Sequence, residues 1–216
     1  MRLTRHLYQA LSLPFVYRAV QLLAAPGAQR ALQSIVRDSM QGVASDAAVL
    51  DVGCGPQSWL ESMFGNITGI DVETRYLEQV RSRGNANVAA ASATSLPFAE
   101  NAFDVSFSFG VFHHLSDREV RAAFEEMRRV TSPAGKIVIV DAVTPAHKWK
   151  ILAYLIRRAD RGDFVRSQSD HLTLLGPPAN TVTKRYRYSV TGLEALATVI
   201  PMWELSGPPA KPGAEA

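Results

Sequence analysis

Cysteine is all but missing: Cys54 is the single one among 216 residues. That excludes an internal disulfide framework and any metal site built from several thiolates. Long apolar runs are missing too. No stretch of 18 apolar residues occurs, so no helix is expected to span a bilayer. Charge of one sign is not in excess, since 23 Lys and Arg face 20 Asp and Glu, a net of +3. Histidine and acid at ligand spacing are absent as well; His113 and His114 are adjacent, and no metal centre is expected. What remains, 47% hydrophobic and 20% charged, is the make-up of a globular protein of one α/β domain. Residues 1–13 faintly imitate a secretory leader. Arg18 and the amphipathic continuation point instead to a cytoplasmic protein.

The stretch Val49-Leu50-Asp51-Val52-Gly53-Cys54-Gly55-Pro56-Gln57-Ser58 organises the chain. It reads as a buried strand, a glycine turn, and a helix over 57–64. Glycines at 53 and 55 remove two Cβ atoms where a ligand can lie against the backbone. Cys54, inside that turn, reads as a small packing residue. Asp71 stands twenty residues beyond Asp51, at the end of a second strand over 66–71. An acid at that spacing can accept hydrogen bonds from both ribose hydroxyls of an adenosine. A nicotinamide fingerprint would need a third glycine where Ser58 stands, so that alternative fails.

Apolar groups at helical spacing predict helices over 3–24 and 29–43. Alternating elements follow: helix 74–83, strand 88–91, a loop at 95–102, strand 103–109, helix 117–130 with Asp117 as N-cap, and strand 136–141. This rhythm means a parallel, doubly wound sheet. Residues 146–190 carry nine Lys and Arg against three Asp. Within them 147–160 reads as a basic amphipathic helix and 162–184 as irregular. A helix over 192–199 and a strand over 202–205 close the core, and the Pro- and Gly-rich tail at 207–216 reads as disordered.

Several segments jointly resemble the class I S-adenosylmethionine-dependent methyltransferases, in the group of small quinone- and small-molecule methylases. They are Val49 to Gly55, Gly69-Ile70-Asp71, Leu96-Pro97-Phe98 leading to Phe103-Asp104-Val105, His113-His114-Leu115, Met127 to Val130 and Pro133 to Ile139. The resemblance implies a Rossmann-like, mostly parallel sheet with N-terminal helices and an inserted basic cap. It implies S-adenosylmethionine as donor, S-adenosylhomocysteine as product, and no metal. By the same resemblance Asp51, Gly53 and Gly55 would line the methionine end, Asp71 the ribose and Val72 the adenine. Thr94, Ser95 and Leu96 would border the adenine, with Phe109 and Gly110 beneath the cofactor. The sequence departs from the family at Gln57, where a third glycine is usual, and at Ser92, where an acid often takes the adenine amino group. The last sheet strand is missing, or 182–190 supplies it; a strand missing there would leave an edge open to dimerisation.

Methyl transfer to a hydroxyl or carbon acid needs a base. His113, His114 and His147 follow strands at the ligand end of the sheet and are the candidates. Tyr8 and Tyr17 in the N-terminal helices and Asp141 at a strand end are candidates for substrate contact. The division expected is a helical lid over 1–45, the cofactor core over 46–145, a basic cap over 146–184, the end of the core over 185–206, and the tail. The partners expected are a small-molecule or lipid-like acceptor, with peripheral membrane contact through the basic face, no nucleic acid, and a monomer or homodimer. The alternative is a non-catalytic protein of the same fold that binds a partner or a membrane surface.

Overall fold

The computed structural model describes residues 28–84, 87–146, 153, 164–176, 178, 180–189 and 191–205. The expected helix over 3–24, most of the basic helix at 147–160, the 207–216 tail, and Tyr8, Tyr17 and His147 lie outside them. Seven strands form one sheet: β1 (Val49–Val52), β2 (Ile67–Asp71), β3 (Val88–Ala90), β4 (Phe103–Phe109), β5 (Thr131–Val143), β6 (Val182–Arg187) and β7 (Glu194–Pro201). Their order across the sheet is β3-β2-β1-β4-β5-β7-β6. The first five strands pair in parallel. β7 runs antiparallel between β5 and β6. The last strand is therefore not missing, and 182–187 supplies β6.

Both faces of the sheet are covered, which is why Ile137 to Val140 in β5 read as a continuous apolar run. On one face α1 (Ala28–Ser39) sets Ile35 and Val36 against Val49, Val105, Phe107 and Val138. On the other, α3 (Asp117–Val130) sets Val120, Phe124 and Met127 against Leu50, Val52, Ile137 and Ile139. α2 (Thr74–Ser82) packs Leu77 and Val80 on Val88 and Cys54 beside β2 and β3. α4 (Gln168–Leu175) and the short α5 (Met202–Leu205) add Leu175 and Met202 to the α3 side.

Four expected elements are corrected. Residues 57–64 form successive turns, not a helix. The Ser58 hydroxyl accepts from Leu60 N–H and donates to Asp51, and Leu60 O accepts from both Met63 and Phe64 before Gly65. These local bonds compete with helix propagation. Residues 194–201 form β7 rather than a helix. Alanines at 195 and 197 imitate helix propensity, but Glu194 to Thr198 are all buried between two strands, where tertiary context overrides propensity. Residues 202–205 are a helical turn, not a strand. Within 162–184, α4 is regular, with Ser167 as N-cap and Gly176 at φ 54° as its left-handed C-cap. The N-cap of α3 is Ser116, one residue before Asp117, in a reciprocal capping box with Glu119.

Candidate active site

The C-terminal ends of β1, β2, β4 and β5 meet at one rim, the place where an open parallel sheet takes its ligand. The turn after β1 is bound to the end of β2. Gly53 and Cys54 N–H both donate to Ile70 O, at 2.8 and 2.9 Å. Gly55 N–H donates to Asp71 Oδ2 at 3.0 Å, and Glu73 N–H to Asp71 Oδ1 at 2.8 Å. Asp71 thus spans the two strand ends, each oxygen keeping a lone pair for a further donor. Gly53 has φ 77°, and a Cβ there would lie 2.2 Å from Val111 Cγ2. Above Gly55, at φ 61°, a Cβ would meet nothing within 4 Å. One glycine is demanded by protein packing and the other leaves a free approach to backbone. Val72, next to Asp71, exposes 72% of its surface, an apolar platform at the rim.

Asp51 lies under this turn at 2% exposure, with Ser58 Oγ donating to its Oδ2 at 2.5 Å. Burial pushes its carboxyl up to about 7, against the lowering effect of the Ser58 bond, and the Asp71 and Glu61 charges add to the rise. Burial, with the same acidic neighbours, pushes the Cys54 thiol up to about 12, so it is a packing group and no thiolate. Gln57 is exposed. Ser92 Oγ sits 2.8 Å from Thr94 Oγ1 and accepts from Thr94 N–H, so it closes the 92–95 turn that presents Thr94 and Ser95. The loop beyond is held from α3: Leu96 N–H donates to Glu126 Oε2 at 2.7 Å, and Arg129 donates to Leu96 O and Phe98 O. Phe109 closes β4 with its ring 4.7 Å from Trp59, and Gly110, at φ 68°, turns the chain.

That turn delivers a short 3-10 segment, Phe112–His114. His113 Nδ1 lies 2.5 Å from Asp141 Oδ1, and Asp141 is 3% exposed at the end of β5. Burial raises the Asp141 carboxyl, but the charge of His113 and its hydrogen bond outweigh that and hold it below the ordinary value. His114 is exposed and stacks 4.1 Å from the His113 ring. The structure thus joins His113 and Asp141, read from sequence as separate candidates. It also brings in two residues of the expected basic cap to which the sequence reading assigned no role at the site. Arg166 donates to Phe112 O and Leu115 O and pairs with Asp117, fastening segment 164–166 onto the 3-10 turn. His171, on α4, is buried beside Phe112. The Ser167-Gln168-Ser169-Asp170 pattern was the available signal for the helix that carries it. A cleft of about 490 Å³ opens behind this segment, lined by Thr144, Pro145, Ala146, Phe164 and Arg166 among others. Among the described residues no group of three or more His, Cys, Asp or Glu could hold a metal ion, and no helix is long and apolar enough to cross a membrane.

Residues 50–139 match the family described as "Methyltransferase domain". "Putative methyltransferase ECU09_1500" of Encephalitozoon cuniculi is 30% identical over 155 residues, 71% of this chain and 69% of that protein. The chain belongs to the class I S-adenosylmethionine-dependent methyltransferases. Two further methyltransferases of similar sequence are longer than the match. "Probable tRNA methyltransferase 9B" of Mus musculus is 35% identical over 106 residues, 48% of this chain and 24% of that protein. "Demethylmenaquinone methyltransferase" of Paenarthrobacter aurescens is 34% identical over 149 residues, 65% of this chain and 57% of that protein. The chain therefore spans less than two thirds of either. Among solved methyltransferase structures, geranyl diphosphate C-methyltransferase from Streptomyces coelicolor, in complex with Mg2+, geranyl diphosphate and S-adenosylhomocysteine, superposes with a TM-score of 0.61 at 14% identity. The match covers 80% of this chain and 79% of that one.

Proposed function

We propose that the protein transfers the methyl group of S-adenosylmethionine to an O, N or C atom of a small hydrophobic or lipid-like acceptor, with His113 as the base. The observation that carries this reading is the His113–Asp141 contact at the rim that the glycine turn also faces. The residues fit the donor: an open backbone at Gly55, a paired acid at Asp71 for ribose hydroxyls, and the bare Val72 for an adenine face. Asp51 and Gly53 would serve the methionine end, where a buried carboxyl suits an ammonium group. Thr94, Ser95 and Leu96 would flank the adenine, and Phe109 and Gly110 would lie beneath the cofactor.

The donor supplies an already activated carbon, so the protein's tasks are alignment, exclusion of water and removal of a proton. In the tautomer that directs Nδ1–H at Asp141, the basic lone pair of His113 is on Nε2. That nitrogen takes the acceptor's proton, and the Asp141 carboxylate holds the imidazolium formed. His114 and His147 remain secondary candidates, as do Tyr8 and Tyr17 for the pocket roof over 1–45 and 146–184. Asp141 is reassigned from substrate contact to orienting His113.

Calorimetric titration with S-adenosylmethionine and S-adenosylhomocysteine tests the donor. Micromolar binding is expected, and Asp71→Ala should weaken it at least about tenfold, or about 1.4 kcal/mol, without loss of helical signal. Unchanged affinity in that variant removes Asp71 from the site. No binding by the native chain favours the non-catalytic alternative. The acceptor is sought with labelled donor among quinols, isoprenoids and small phenols. The name of the mouse relative runs against the expectation of no nucleic-acid partner, so tRNA belongs in the same screen.

A further inference from the structure

Asp51 is a buried carboxyl with no cation paired to it among the described residues. It is 2% exposed, and β1 is paired on both sides there, with Gly69 of β2 and Phe107 of β4 opposite. The titratable groups around it are Asp71 at the end of β2, Glu61 in the turns after the glycine loop, and the Cys54 thiol. None of these carries positive charge. Burying a carboxylate without a charged partner is costly, and an uncharged side chain would avoid that cost. One side chain meets the carboxylate directly: Ser58 Oγ donates to Oδ2 at 2.5 Å. A hydroxyl has a single proton, and here its direction is set. Ser58 Oγ accepts from Leu60 N–H at 3.1 Å, and Ser58 N–H donates to Glu61 Oε1 at 3.4 Å. The turns over 57–64 thus hold Ser58 by its backbone and its hydroxyl, and commit the proton to Asp51.

We propose that Ser58 is a positioning residue for the donor: its hydroxyl holds the Asp51 carboxylate through Oδ2 and leaves Oδ1 for the ammonium group at the methionine end. The inference rests on the reading of Asp51 as part of the donor site. Strand pairing on both sides fixes the backbone of Asp51, so rotation of the side chain is its remaining freedom, and the Ser58 bond takes that up. An ammonium group gains a charge-assisted bond only from a carboxylate that is ionised and turned toward it. Burial opposes the ionised form and the Asp71 and Glu61 charges add to that opposition, while the Ser58 bond acts the other way. Ser58 therefore sets both the orientation of the acid and the pH range over which it can receive a cation. It stands three residues beyond Gly55, whose backbone is open to a ligand. The loop that admits the donor thus also prepares the acid that lies under it.

The test uses the full chain and two measurements. Carbon NMR follows the Asp51 carboxyl against pH without ligand, the signal being assigned by its loss in D51N. S58A removes the hydroxyl and should raise the midpoint by about half to one unit, whereas S58T, which keeps it, should stay near native. Calorimetry then gives the affinity for S-adenosylhomocysteine between pH 6 and 8. Native binding should tighten about tenfold over that range as Asp51 ionises. S58A should bind severalfold more weakly at pH 7 with its profile displaced to higher pH, and S58T should restore both. A carboxyl titration within about 0.2 unit of native in folded S58A overturns the proposal. So does a loss of affinity equal at every pH, the mark of a merely structural role. If S58A does not fold, S58C, whose thiol is a weak donor, carries the same expectations, and the same two results there overturn it. Failure of the methyltransferase reading is told apart because the native chain then binds no S-adenosylhomocysteine at any pH, whereas failure of this proposal alone leaves native binding intact.

Discussion

Asp51 is a carboxyl held almost out of water, and its main relief is the Ser58 hydroxyl. Its folded-state pKa, about 7 against 3.8 for the free side chain, lies above the unfolded value. The sign follows: the folded state binds the extra proton, so this contribution to stability is complete below pH 4 and is lost as pH rises through 7. Three units correspond to roughly 4 kcal/mol between those limits. Urea midpoints of the ligand-free protein should therefore fall from pH 5 to pH 8, and Asp51→Asn should flatten that slope. Ser58→Ala should steepen it, since the bond that favours the charged form is gone. A cationic ligand group beside Asp51 would reverse the preference. Donor binding near pH 6 is then expected to release a proton, seen as a calorimetric enthalpy that depends on the buffer. Gly53 sets a second residue-scale test. Gly53→Ala must tolerate φ 77° and a Cβ 2.2 Å from Val111, and should lose about 2 kcal/mol or more in denaturant unfolding.

α3 holds the site from behind. Its residues Glu126 and Arg129 bind each other and three backbone groups of the loop at 96–98. That loop follows Thr94 and Ser95, the proposed adenine border, so Arg129→Met should weaken S-adenosylhomocysteine severalfold while changing the melting temperature little. Removing the α3 cap, by Ser116→Ala, should do the opposite: lose about 1 kcal/mol of stability with donor affinity unchanged. The α3 element itself was legible from sequence because Val120, Ala123, Phe124, Met127 and Val130 repeat at helical spacing. β1 and β4 were legible because each is a short stretch of strand-forming residues, alternating with small polar ones in β4, closed by a glycine. The segment at 57–64 was not, because a serine bonding back to Asp51 leaves no mark in periodicity. Nor was β7, whose alanines favour one conformation locally and whose position between two strands enforces another.

Across the whole molecule, the glycine turn, Asp71 and the first five strands were legible because each depends on local pattern. The His113–Asp141 pair was not, because it joins residues 28 positions apart on two different elements. The same contrast between sequence order and spatial order governs the closing end of the sheet. β6 is made before β7, yet β7 lies between it and β5. Glu194, at the head of β7, then receives Ala146 N–H and Arg185 and so ties both neighbours. A growing chain that has just completed β6 has nothing to pair it with, and the apolar edge of β5 stands open. Assembly on the ribosome must therefore wait for residues 194–201, and during that delay the nascent protein depends on whatever shields Ile137 to Val143 from neighbouring chains.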